Sequence, residues 1–154
     1  MGPSLSPILE ALLSIIGGGL AGTAIALWFE RRQRRREAAV EIAQAYMERE
    51  KEIIHAEGLY NKYRQRPDEW SHDDTNALTS IGDWYEIISV LILENMVDER
   101  LIKRIGIDRA MYVFHKNTER LSPLDPDRPQ WKNLEMYMNR VSKYISSEMN
   151  DGSI

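Results

Sequence analysis

Five arginines fall within six positions, Arg31, Arg32, Arg34, Arg35 and Arg36, in the string ERRQRRRE. Guanidinium groups take phosphate oxygens through paired N–H donors, so a run this dense suits an anionic surface. Elsewhere the residue types that do chemistry are thinly spread. Asp68, Glu69, His72, Asp73 and Asp74 offer carboxylates and an imidazole, which a loop would have to gather before they held a divalent cation. The same letters ahead of a helix cap it and favour its dipole, so no metal is expected. The sequence has no cysteine, which removes thiol nucleophiles, disulfides and Cys-based zinc sites, and its histidines, His55, His72 and His115, are scattered. No G-x-x-x-x-G-K-[ST], G-x-S-x-G or H-E-x-x-H string is present, and the three glycines at 17–19 lie inside an apolar run. No cofactor and no catalytic group are expected.

One alternative concerns Arg109-A-M-Y-V-F-His115. Its outline resembles the R-x4-6-H motif of helical HEPN ribonucleases from prokaryotic defence systems and toxins. The resemblance implies a cation on a phosphate and a histidine acting as acid or base at a ribose 2′-hydroxyl. Two features depart from it. The polar residue that usually follows the arginine is Ala110, and Arg49-E-K-E-I-I-His55 repeats the spacing. Six positions on one helix also set the two side chains about 120° apart. The plainer expectation makes Arg109 a surface residue near a helix start and His115 a flank of an apolar stripe.

These groups must be carried by some architecture, and its first element is the N-terminal segment. Ala11 to Phe29 reads ALLSIIGGGLAGTAIALWF without a charge, about 28 Å as a helix and close to a bilayer core. Four glycines would weaken such a helix in water. A membrane helix over 8–29 is therefore expected, with 1–7 outside the cell. A cleavable signal peptide fits less well despite the A-x-A pattern at Ala24 and Ala26, because MGPSLSP has no basic residue and the arginines follow the apolar run. Gly2 and Ser6 outline a myristoylation signal, but Pro3 makes this a coincidence. Trp28 and Phe29 suit the interface, and arginines 31–36 then place the C-terminal part in the cytoplasm. The collar at 30–36 is expected to attract anionic lipid headgroups; beside a spanning segment this outweighs a nuclear-localisation reading of the same letters.

On a helical wheel Ser14, Gly17, Gly18, Ala21 and Gly22 share one side, opposite Leu12, Leu13, Ile16 and Leu20. Ser14, Gly18, Gly22 and Ala26 recur at a four-residue step that lets two backbones approach, so self-association is expected. Glu10 starts the same string and makes an oligomeric pore a further alternative.

Helical spacing resumes after the collar with Ala39, Ile42, Ala43, Tyr46, Ile53 and Ile54, as a stalk continuing the anchor. Gly58, Pro67 and PDEWSHDD mark a break, with Asp73 or Asp74 to cap the next helix. That helix, residues 75–97, is polar along Asn76, Thr79, Asp83 and Glu86 and apolar nearly all round from Ile87 to Leu93, as a central core helix would be. Asp98 and Gly106 bound a short helix, and Asp108 starts another with Met111, Phe114 and Leu121 as its stripe. After the loop SPLDPDRP a last helix runs from about Gln130 to Glu148, with Leu134, Tyr137, Met138, Val141 and Ile145 on one face. Trp70, Trp84 and Trp131 would serve the core before they lined a groove. No strand pattern or internal repeat is found.

The order of anchor, core helix and capped helix, and the W-Y-E-x-I-x-x-L-x-x-x-x-x-V-D-x-x-L-I stretch from Trp84 to Ile102, resemble the bacterial domain of unknown function 4760 family over roughly residues 5–145. The resemblance implies a membrane-anchored helical protein and supplies no catalytic residues.

Composition agrees with one core: 154 residues, 43% hydrophobic and 29% charged. Residues 1–36 carry five arginines and two glutamates, so the rest of the chain holds a net −7 of the overall −4. An acidic folded part repels phosphodiesters, and nucleic acid is not expected as a partner. The expectation is an all-α protein: a membrane helix, a collar, a cytosolic helical domain over 37–148 and a tail over 149–154. It would sit in the inner membrane as a self-associating interaction or scaffold protein, with lipid, its own copies and a cytosolic protein as partners.

Overall fold

The fold is given by a computed structural model that describes residues 7–121 and 130–150, and the side chains of residues 24–120 and 130–145. Among the described residues there are six α-helices and no strand: α1 (Pro7–Glu48), α2 (Glu50–Gln65), α3 (His72–Leu93), α4 (Glu99–Ile105), α5 (Ile107–Leu121) and α6 (Lys132–Asn150), with a 3-10 turn at Pro67–Glu69. The expected all-α class is found. Among the described residues no helix is long and apolar enough to cross a membrane. Most of the expected span, the side chains of 8–23 with Ser14, Gly18 and Gly22, lies outside them, as do the termini 1–6 and 151–154 and the loop 122–129.

The distal part of α1 is more than a stalk, because Ala39, Ile42 and Ala43 are buried against the bundle. Only Arg49 separates α1 from α2, and hydrogen bonding runs through it: its N–H donates to Ala45 at 3.1 Å and its carbonyl accepts from Ile53 at 2.9 Å. The break expected at Gly58 does not occur. α2 passes through this exposed glycine, whose cost of roughly 1 kcal/mol inside a helix is small beside the burial of Ile53, Ala56 and Leu59. Pro67 ends α2 instead, since it keeps Arg66 out of the helical region (φ −145°, ψ 68°).

α3 begins earlier than its apolar pattern. Ser71 is its N-cap, and Asp74 closes a capping box by accepting from the Ser71 N–H at 2.8 Å while Ser71 Oγ accepts from the Asp74 N–H at 3.2 Å. Ile81, Tyr85, Ile88 and Ile92 of α3 are buried, but Ile87 (58% exposed) and Val90 face outward, so the run from Ile87 to Leu93 is not buried all round. α3 ends in a Schellman motif. Asn95 takes φ 58°, its N–H donates to Ile92, and the Met96 N–H donates to Leu91. Two residues later Asp98 caps α4 through the Arg100 N–H at 3.1 Å, and Gly106, at φ 88°, closes it.

α6 presents the expected face: Leu134, Tyr137, Met138, Val141 and Ile145 are all buried, alongside Met111 and Phe114 of α5. It extends to Asn150. The polar edge of α3 fixes where α6 starts. Glu86 accepts from the backbone N–H groups of Asn133 at 3.0 Å and Leu134 at 2.7 Å, and Asp83 accepts from Trp131 Nε1 at 2.9 Å. A carboxylate on one helix thus caps the next, satisfying donors that α6 would otherwise leave unpaired.

Candidate functional site

The arginine collar does not stand clear of the bundle. Arg35 is half-buried and donates from Nε and Nη2 to the Val97 carbonyl, at 3.3 and 3.1 Å, while its own carbonyl accepts from the Asp98 N–H at 3.0 Å. Arg36 lies 3.8 Å from the Asp98 carboxylate. α1 is therefore clasped at the collar by the α3–α4 link, and the Schellman turn and the Asp98 cap hold that link in place.

The clasp leaves a cleft of about 480 Å³ between α1 and the start of α4. From α1 come Trp28, Arg31, Arg32 and Arg35; from the other side come Asp98, Glu99 and Arg100. The Arg32 guanidinium sits 5.3 Å from the centre of the Trp28 ring. Both acids are engaged elsewhere, Asp98 by Arg36 and the cap, and Glu99 by Lys103 at 3.0 Å and Arg140 at 2.9 Å. A shallower groove beside it is bounded by Leu27, Arg34, Asn95 and Met96, with Arg34 paired to Glu30. All five collar arginines are thus at the bundle's α3–α4 end, joined by Arg100. Sequence reasoning missed Arg100, because nothing local marks it: the cleft unites positions about 65 apart in the chain.

The other candidates are placed differently. Arg109 and His115 both lie on α5; His115 is buried, with Nε2 3.4 Å from Glu119 Oε1, and neither residue lines the collar cleft. The acidic turn is not gathered. Asp74 goes to Ser71 and Lys62, Glu69 pairs with Arg66, and His72 is exposed. Among the described residues no group of three or more His, Asp or Glu side chains stands ready for a metal. The tryptophans separate as well: Trp70 packs on Tyr63, Trp84 on Tyr46, and Trp131 on Phe114. Ala26 of the small-residue string is exposed.

Three carboxyl groups have displaced acidities, and partial burial raises that of Glu57. Hydrogen bonding by the Lys62 ammonium, first, and by Ser71 lowers Asp74 to about 2. Burial raises Asp108 against weaker lowering by the Arg109 N–H and nearby cations, and its Oδ1 has no hydrogen-bond partner among the described residues. Asp108 is closed off in the core and offers no access to a substrate.

The family model that matches the chain is described as a domain of unknown function (DUF4760) and covers residues 11–141, from α1 into α6. No curated protein and no solved structure gives a match.

Proposed function

The chain belongs to the domain of unknown function family DUF4760, and from that premise, which brings no catalytic residue with it, we propose a single-pass, membrane-anchored interaction protein. Residues 8–29 span the inner membrane with the N-terminus outside; the helical bundle lies on the cytoplasmic side, self-associates and serves as a scaffold for a cytosolic protein. One observation carries this reading. The uncharged run from Ala11 to Phe29 lies on the same helix as the collar, and Arg35 of that collar is clasped by the bundle. A helix that enters the bilayer would then hold the bundle at a set depth, with the arginines on the cytoplasmic side of Trp28.

The test is topological. With cysteines introduced at Ser4 and, separately, at Ser153 into this cysteine-free chain, an impermeant thiol reagent on intact cells labels the first alone, and the protein stays in membranes through an alkaline wash. Labelling at Ser153 alone, or release by the wash, overturns the proposal. Ribonuclease activity lost in Arg109→Ala or His115→Ala would promote the HEPN-like alternative, and ion leakage from protein-loaded vesicles would promote the pore.

A further inference from the structure

We propose that the cleft between α1 and α4 is a binding site for the phosphate of an anionic phospholipid headgroup, built by Arg31, Arg32 and Arg100 around Trp28; this rests on the membrane reading above. A juxtamembrane basic run by itself attracts anionic lipid diffusely. Here the fold adds a fourth guanidinium to the cleft from a different helix, so that arginines line it from two walls. Their availability follows from the bonding pattern. Among the described residues, Arg31 and Arg100 make no side-chain hydrogen bond or ion pair, and Arg32 rests over the Trp28 ring. Arg35, by contrast, is committed to Val97 and shapes the wall. The two acids do not cancel the cleft's charge, since Arg36, Lys103 and Arg140 neutralise them from outside it.

The position selects the ligand. Trp28 and Phe29 are more than half exposed at the end of the uncharged run, where an indole sits at headgroup depth. Met96, 57% exposed, borders the neighbouring groove beside Leu27, giving the same end of the bundle an apolar contact with the bilayer surface. Guanidinium pairs suit a phosphodiester, and a choline group on that phosphate would bring its own cation among the arginines. Phosphatidylglycerol is therefore favoured over phosphatidylcholine.

Native mass spectrometry of the full chain in detergent, titrated with phosphatidylglycerol, phosphatidylcholine or inorganic phosphate, tests the site. Phosphatidylglycerol should bind most tightly. Arg31→Gln and Arg100→Gln should each weaken it about fivefold, while Lys51→Gln, which removes the same charge from an exposed position on α2, should change it less than twofold. Circular dichroism checks that the variants keep their helices. Equal loss in all three variants, equal binding of both lipids, or free phosphate binding as tightly as the lipid would overturn the proposal. Release of the chain by alkaline wash would remove the anchor and the lipid site together; a retained chain with lipid binding unchanged in Arg100→Gln would remove the site alone.

Discussion

Gly82 and Gly58 both sit inside helices, yet their surroundings give them opposite roles. A Cβ at Gly82 would lie 2.0 Å from Trp131 Cζ2 and 2.2 Å from Cε2, and that ring cannot easily retreat because Asp83 holds its Nε1 and Phe114 packs against it. Overpacking of this kind costs about 1–3 kcal/mol, with so close an approach at the upper end, against a helix-propensity gain of roughly 1 kcal/mol. Gly82→Ala should thus lower stability, seen as an earlier urea midpoint. Nothing lies within 4 Å of a Cβ at Gly58, so Gly58→Ala should raise stability by up to about 1 kcal/mol in the same titration. Asp74 contributes to acid behaviour. Its folded-state pKa of about 2 lies below the ordinary 3.8, so between these values the unfolded chain binds the proton that the folded chain refuses. The stabilisation is present above about pH 4 and is lost as pH falls toward 2. Lys62→Met removes the first cause of the depression, so the rise of stability with pH across that window should flatten; denaturant titrations at several acidic pH values measure it.

Helix α6 is held at both levels at which a helix can be held. Its buried stripe faces α3 and α5, and its first turn is capped by Glu86 from α3. Glu86→Ala leaves the N–H groups of Asn133 and Leu134 without their acceptor, which should cost about 1–3 kcal/mol. Glu86→Gln keeps one carbonyl acceptor and should cost less, and hydrogen exchange at the start of α6 would show the loosening locally. The sequence made the α6 stripe legible because one-sided burial imposes a period of 3.6 on apolar residues within a single segment. It likewise marked Asp98 and Gly106, since caps are read from adjacent residues. It did not reveal what Asp83 and Glu86 are for. Their partners are 48 and 47 positions away, and a polar edge looks the same whether water or another helix meets it. The collar divides in the same way. Its charge was plain, but the commitment of Arg35 to Val97 and the arrival of Arg100 depend on how α4 docks on α1.

Taken as a molecule, the chain joins a long N-terminal helix to a bundle through few points, and the Arg35 clasp is the one nearest the bilayer in the proposed orientation. Assembly can therefore reside in the anchor or in the bundle, and the two are separable by experiment. If Ser14, Gly18, Gly22 and Ala26 form a close helix contact, Gly18→Ile with Gly22→Ile should separate the backbones and reduce self-association, while the more apolar helix still inserts. A bundle fragment supplies the complementary measurement, and its starting point matters. A fragment beginning at Glu37 keeps the buried Ala39, Ile42 and Ala43 but loses Arg35 and its bonds to Val97 and Asp98. One beginning at Glu30 keeps them, and should be the more stable by about 1.5–3 kcal/mol, the usual value of a hydrogen bond to a charged group. Cross-linking and mass measurement should then find the full chain most associated, with the double variant and the Glu30 fragment both weaker. Unchanged oligomers in the double variant would remove the glycine contact, and a fragment as associated as the full chain would place assembly on the surface of the bundle.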